Sequence, residues 1–188
     1  MALVLDGTTG IVSANIADGT ISASDLASGA ITSTALPAGS VLQVVSYTFP
    51  LTSVTVSSTV FVSMSHSVSI TAKQNNSKFL VTLNGGGWYD NGNGSQAFYA
   101  TFKRELNGSG TYNYVDNGYG NNYGLCRMSG DGNSWNIKPF AAEVLDSPGQ
   151  SAGTIIKYEV FGRQSGASSM YSHGDRGQPT LTVMEIAA

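Results

Sequence analysis

The sequence predicts an all-β protein: an N-terminal, extended and intertwined repeat stalk, followed by a C-terminal antiparallel β-sandwich or jelly roll. Residues 11–41 carry a large apolar side chain at every fifth position. The rest of the chain contains many short stretches of alternating apolar and polar residues between Gly- and Asn-rich turns, and no convincing helix. Residues 1–40 also contain no aromatic residue, no Lys and no Arg. We therefore place a stalk region in residues 1–40 and a separate β domain, the head, in residues 41–188.

The repeat in the first 41 residues keeps its register throughout. Its apolar side chains form a ladder of seven positions: Ile11, Ile16, Ile21, Leu26, Ile31, Leu36 and Val41. A ten-residue repeat lies over this ladder, since residues 17–26 align with residues 27–36. A period of five fits neither one helix nor one flat strand, but short extended pieces that turn at the glycines can keep the ladder on one side.

A single copy of this repeat should not fold by itself. One large apolar side chain per five residues does not offset the loss of roughly 1–2 kcal/mol of backbone entropy for each ordered residue. If several copies wind around a common axis, however, the ladder faces inward and becomes a thin core. We therefore expect an intermolecular stalk. The alternative is a flexible Ser/Gly linker, although a linker has no reason to keep register.

The predicted strands of the head follow one another at short intervals. They span residues 41–49, 54–56, 60–64, 68–71, 78–84, 97–106, 135–145, 154–163 and 180–186. A run of three glycines follows the fifth strand, and a turn with two glycines follows the sixth. In the sixth strand, Phe98, Ala100 and Phe102 share one face, while Tyr99 and Thr101 lie on the other.

Charge and cysteine content exclude several classes of protein. The chain has 188 residues and a formal charge of -3, and 11% of its residues are charged, against about 25% in a typical soluble domain. All nine basic residues lie beyond residue 41 and are balanced there by nine acidic ones, so we expect neither nucleic-acid binding nor a basic membrane-binding face. No apolar run approaches the roughly 20 residues that span a bilayer, so we expect no membrane insertion. The lone Cys126 excludes an intrachain disulfide framework.

The residues that could support catalysis or metal binding are few. His66 and His173 have no metal-ligand spacing around them, and we expect surface or turn positions for both. Four loop carboxylates are expected to be turn residues rather than catalytic pairs: Asp90, Asp116, Asp131 and Asp146. Glu185, in the last strand, is expected to face solvent or a basic residue of a partner chain. We expect no enzymatic activity, no cofactor and no metal ion. The alternative for the oxygen-rich residues 90–95 and 131–134 is a cation-binding loop, although neither segment has the full alternating ligand pattern of a calcium loop.

Two long loops rich in aromatic and amide side chains predict a binding surface. Sugars have apolar C–H faces that stack on aromatic rings, and Tyr mixed with Asn, Gly and Ser is also the composition of antibody paratopes. The candidate binding residues are Trp88, Tyr89, Asp90, Asn91 and Asn93 in the first loop and Tyr112, Tyr114, Asp116, Asn117, Tyr119 and Tyr123 in the second. The alternative is that several of these tyrosines pack between neighbouring subunits.

Three motifs of the head resemble the C-terminal domains of bacteriophage fibre proteins. They are residues 37–45 (PAGSVLQVV), residues 68–71 (VSIT) with residues 77–81 (SKFLV), and residues 181–186 (LTVMEI). The opening DGTTG and the ten-residue repeat are similar to the N-terminal parts of such fibres. The resemblance extends over nearly the whole chain, with little match in the middle of the head. It implies a homotrimer whose N-terminal region attaches to other virion proteins and whose β-sandwich head faces outward.

The resemblance also implies a function. It is that of a structural protein of a phage virion, a tail or capsid fibre that is assembled in the host cytoplasm and whose head adheres to a host receptor, often a surface glycan. The first alternative is a purely structural fibre or decoration protein whose head only caps the trimer. The second is a fibre-borne polysaccharide depolymerase, which conflicts with the absence of a long catalytic β-helix.

Overall fold

The structure is a computed structural model that describes residues 21–50, 54–90, 97–115, 124–129, 138–166, 170–173 and 177–188. The chain divides into two units, Met1–Leu36 and Pro37–Ala188. The first unit carries the repeat, and the second carries the strands. Within the described ranges, no helix has the length and hydropathy that would be needed to cross a bilayer.

The ten-residue repeat of the sequence is also a repeat of backbone conformation. Each copy contains a single 3₁₀ turn, at Ala23–Asp25 and at Ser33–Ala35. A 3.0 Å hydrogen bond closes each turn, from the N–H of its last residue to the carbonyl oxygen three residues earlier. The glycine four residues after each turn, Gly29 or Gly39, has a positive φ of 79° or 86°. Because only glycine adopts this conformation at little cost, the repeat needs its glycines at these positions.

The ladder residues in the described part of the chain are exposed in a single copy. The exposed fraction of each residue is 56% for Ile21, 43% for Leu26, 58% for Ile31, 36% for Leu36 and 53% for Val41. Fully burying an aliphatic side chain contributes about 1.5–3 kcal/mol, and one copy alone leaves roughly half of this stabilisation unrealised. The first two predicted positions of the ladder, Ile11 and Ile16, lie outside the described residues.

The second unit contains eleven described strands. They are β1 (Val41–Thr48), β2 (Val54–Val56), β3 (Val62–Thr71), β4 (Lys78–Asp90), β5 (Ala97–Leu106), β6 (Asn113–Tyr114), β7 (Cys126–Ser129), β8 (Lys138–Asp146), β9 (Ile155–Gln164), β10 (Met170–His173) and β11 (Thr180–Ile186). Every described pairing between them is antiparallel.

The strands form two sheets with the arrangement of a jelly roll. The first sheet runs β1–β11–β4–β8, and β10 continues along β4 beyond β11 and carries β2 on its other side. The second sheet runs β3–β9–β5, with β6 and β7 paired to successive parts of β5. The predicted all-β, antiparallel sandwich is therefore confirmed.

The core lies between the two sheets and is built from the alternate residues that point inward. Phe98, Ala100 and Phe102 of β5 lie in this core, as their predicted common face requires. Gly162 of β9 lies between two of the large core side chains, because a Cβ atom there would come within 2.8 Å of both the Met64 sulfur and the Phe98 ring. Packing at this density leaves no room for an additional methyl group.

His66 and Glu185 are buried in the head, although the sequence predicts both at the surface. The predicted surface or turn position of His66 is wrong: the residue is 6% exposed within β3, and its ring centroid lies 4.3 Å from that of Phe49. The predicted exposure of Glu185 is also wrong, since the residue is fully buried. Its carboxylate accepts hydrogen bonds from the N–H groups of Lys73 (2.7 Å) and Gln74 (3.1 Å) and from Nε2 of Gln43 (2.6 Å). These donors replace water, which is what a buried carboxylate requires.

Candidate binding surfaces

The first predicted binding loop is partly strand. The backbone of Trp88, Tyr89 and Asp90 belongs to β4, where it pairs with β10, so the prediction of a loop at these three residues is wrong. The strand continues past the three glycines because the pairing of β4 with β8 shifts its register between Asn84 and Gly87 and then resumes. The remaining candidates of both loops, except for two tyrosines, lie outside the described residues: Asn91, Asn93, Asp116, Asn117, Tyr119 and Tyr123.

The two described tyrosines of the second loop, Tyr112 and Tyr114, lie against the outer face of the second sheet. The hydroxyl of Tyr112 donates to Oε2 of Glu159 at 2.6 Å and accepts from Nζ of Lys157 at 2.6 Å. Tyr114 belongs to β6, and its ring lies edge-on to the ring of Phe61 with the centroids 6.0 Å apart. Both tyrosines are therefore held in place by the sheet beneath them rather than carried on a free loop.

Glu159 is the charged centre of this face. Its carboxylate is buried, accepts the hydroxyl hydrogens of Ser63 and Tyr112, and lies 3.0 Å from Nζ of Lys157. Burial alone would raise the pKa of this carboxyl, but the hydrogen bonds from these three residues outweigh burial and hold the pKa below its ordinary value. The same contacts raise the pKa of Lys157, chiefly through its hydrogen bonds with Tyr112 and Glu159. The pair is therefore ionised and structural.

Three further cations of the face stack on aromatic rings. The guanidinium carbon of Arg163 lies 4.1 Å from the ring centroid of Tyr99, and that of Arg127 approaches the same ring at 5.9 Å. Nζ of Lys103 lies 4.2 Å from the Tyr114 centroid. These distances are within the range of cation–π attraction. We call this outer surface of β3, β9, β5, β6 and β7, together with the rings that cover it, the cation–aromatic face.

The predicted turn position of Asp146 is wrong, because this residue belongs to a strand and is buried in the head. It ends β8, is buried, forms an ion pair with Arg104 and accepts the hydroxyl hydrogen of Tyr158 at 2.8 Å. Burial and the neighbouring Asp146 carboxylate together raise the pKa of Tyr158. Asp116 and Asp131 lie outside the described residues. Among the residues described, no group of three or more His, Cys, Asp or Glu side chains could hold a metal ion.

The outer face of the first sheet has a different character. The pairing register places Val44, Met184, Leu80 and Leu145 side by side across β1, β11, β4 and β8. We call these four residues the apolar row; Val44 is 54% exposed and Leu145 is 50% exposed. The next row along the strands is polar and includes the hydroxyl pair of Ser46 and Thr182. Alternation within each strand predicts that each of these four residues faces outward. Only the pairing register between the strands shows that the four residues lie side by side.

The comparisons with known proteins give weak structural likenesses. No family model and no curated protein match the chain. Among solved structures, the chain is similar to the VP2 protein of infectious bursal disease virus (D431N mutant, derived T=1 particles), with 14% identity, a TM-score of 0.38, and coverage of 78% of this chain and 36% of that one. It is also similar to the Eiger TNF of S. frugiperda, with 9% identity, a TM-score of 0.32, and coverage of 74% of this chain and 94% of that one. The chain thus spans about a third of the length of the VP2 chain that it matches.

Proposed function

We propose that this chain is a structural protein of a bacteriophage virion, a homotrimeric fibre with an intertwined repeat stalk and a head that adheres to a glycan on the host surface. The observation that carries the proposal is the exposed ladder, which repeats together with the backbone turns every ten residues. A second copy of the same chain has the same spacing along its whole length, so it is the partner that can cover every position of the ladder at once. The number of copies, three, comes from the resemblance to phage fibres.

The contrast between the two outer faces of the head supports this assignment. The centres of interfaces between copies of a chain are poor in charge and rich in apolar area. The apolar row has this composition and would be covered by the neighbouring head, with Lys78 and Glu143 on the flanking rows. The cation–aromatic face has the opposite composition and would stay in solvent. Adhesion at three such faces requires no covalent step, and linkage of three weak sites raises avidity by about 10²–10⁴ where the geometry allows all three to engage.

A purely structural fibre is the second candidate, and a specific observation favours it. Tyr112 and Tyr114, the two described tyrosines of the predicted binding loop, are both engaged by neighbouring side chains. A head that serves only as a cap would show the same contacts. This candidate gives no glycan affinity in any assay, whereas the adhesion proposal does.

Limited proteolysis with elastase tests the intertwined stalk against the flexible linker. A wound repeat should resist cleavage under native conditions, because its backbone is held by neighbouring copies, whereas a linker of Ser, Ala and Gly is cut at once. The double variant Leu26→Ser/Ile31→Ser should convert the resistant repeat into a sensitive one. The matched control Ala30→Ser changes a small residue between the ladder positions and should leave the resistance intact. Rapid cleavage of the unmodified repeat would contradict the proposal.

A further inference from the structure

We infer that the cation–aromatic face binds an acidic polysaccharide, one whose sugars carry carboxylate or sulfate groups. This inference rests on the proposed adhesive function and specifies the ligand class that the head recognises. It concerns the outer face of the second sheet, where four of the nine basic residues of the chain lie: Lys103, Arg127, Lys157 and Arg163.

The accessible charge that the described residues contribute to this face is positive, although the chain as a whole carries -3. The two described carboxylates of the face are buried and occupied: Glu105 accepts the N–H of Gly110 at 2.5 Å, and Glu159 pairs with Lys157. The three remaining cations form no salt bridge with any described residue: Lys103, Arg127 and Arg163. An anionic ligand therefore meets three cations that no described carboxylate neutralises.

Arg163 is held in position before any ligand binds. Its guanidinium lies over the Tyr99 ring at 4.1 Å and over the Phe61 ring at 5.4 Å, so the side chain loses little further freedom on binding. Its Nε atom is buried and has no hydrogen-bond partner among the described residues. The buried Nε does not reach a ligand, but the two terminal nitrogens of a guanidinium fixed in this way form a planar pair of donors that matches a carboxylate or sulfate group.

The neighbouring rings favour a sugar over a polynucleotide as the carrier of the negative charge. Phe61, Tyr112 and Tyr114 are only half-buried, so ring surface remains accessible next to the cations. Aromatic surface beside a few fixed cations suits one or two acidic sugars, with their C–H groups on the rings. A nucleic-acid site would require a longer basic stripe, and three unpaired cations do not provide one.

Binding of the full-length protein to pairs of polymers tests this inference. Dextran sulfate and dextran share a backbone and differ in charge, and polygalacturonate supplies carboxylates instead of sulfates. We expect binding to both charged polymers, no binding to dextran, and an affinity that falls as salt rises from about 50 to about 500 mM. Arg163→Gln should lower the affinity about tenfold or more, because it removes a charge-assisted hydrogen-bond pair, and Arg127→Gln should lower it several-fold.

Lys73→Gln is the matched control, since it removes the same charge from an exposed position in the turn after β3, outside the cation–aromatic face and outside the apolar row with its flanking rows. Its affinity for the charged polymers should equal that of the unmodified protein. Three results would overturn the inference: binding to dextran as tight as to dextran sulfate, binding to single-stranded DNA tighter than to the charged polymers, or an equal loss of affinity in all three variants. The solution mass of the same samples separates the two proposals. A trimer that does not bind the acidic polymers refutes only the proposed ligand class, whereas a monomer refutes the proposed trimeric fibre.

Discussion

The buried carboxylate of Glu185 allows a quantitative prediction about what holds the head together. Replacement of Glu185 by Ala removes the acceptor of two backbone N–H groups, those of Lys73 and Gln74, and of the Gln43 amide. Each buried donor that loses its acceptor costs about 1–3 kcal/mol, and partial access of water to this turn favours the lower end. We therefore predict that Glu185→Ala lowers the free energy of unfolding by about 3 kcal/mol.

The isosteric change Glu185→Gln should cost less, about 1–2 kcal/mol, because one oxygen remains to accept the two backbone N–H groups. The new amide group then faces Nε2 of Gln43, so two donors meet. Gln43 cannot resolve this by turning its amide over, since Nε2 also donates to the carbonyl oxygen of Thr71 at 2.6 Å. The two variants thus separate the loss of charge from the loss of the acceptor.

Urea denaturation followed by tryptophan fluorescence, at one fixed protein concentration, measures both values. The fixed concentration matters because association of copies contributes to the apparent stability. Glu143→Gln is the control, since Glu143 is exposed on the outer face of β8, and its effect should stay within about 0.5 kcal/mol. If Glu185→Ala also stayed within that limit, the three hydrogen bonds would not stabilise the head and the reasoning would fail.

Two further predictions concern pH and association. Burial, which outweighs a hydrogen bond to Met64 and the nearby Glu159, lowers the pKa of His66 below its ordinary 6.5, so the unfolded chain binds the proton more tightly. The free energy of unfolding should therefore be constant above about pH 6.5 and should decline as the pH falls from 6.5 through the lowered pKa of His66. His66→Phe should make this decline smaller. If the pH dependence were the same in the variant, His66 would not be its cause. Leu145→Lys in the apolar row should weaken association of the heads in sedimentation experiments, while Ser46→Lys in the adjacent polar row should not; equal effects of both would refute the row as the interface.

Sequence patterns gave the class of fold because alternation along a strand reports directly which residues face the core. In β5, the assignment of Phe98 to the core face and of Tyr99 to the opposite face required no knowledge of other strands. The burial of Glu185 could not be predicted from its own strand, because it depends on residues from other parts of the chain. Its partners come from the turn after β3 and from β1, and only the folded arrangement brings those donors to one carboxylate.

The candidate binding surface was only partly accessible to the same reasoning. Composition identified Tyr112 and Tyr114, but it could not show that Glu159 and Lys157 hold one of them or that Lys103 stacks on the other. The cations of the face were missed because they are spread over β5, β7 and β9, and each looks like an isolated surface charge in the sequence. The three glycines at residues 85–87 led to the wrong prediction of a loop at Trp88. Glycine has a weak intrinsic preference for strands, but the pairing of β4 with β10 outweighed it.

The mass of the unmodified, full-length chain in solution, measured by light scattering over a range of concentrations, tests the central claim most directly. The account predicts a single species with three times the 19.5 kDa of one chain, because the ladder and the apolar row need further copies to cover them and the resemblance to phage fibres sets the number of copies at three. A monomer at every concentration would contradict the account, since the exposed ladder would then be no more than a linker with a regular sequence.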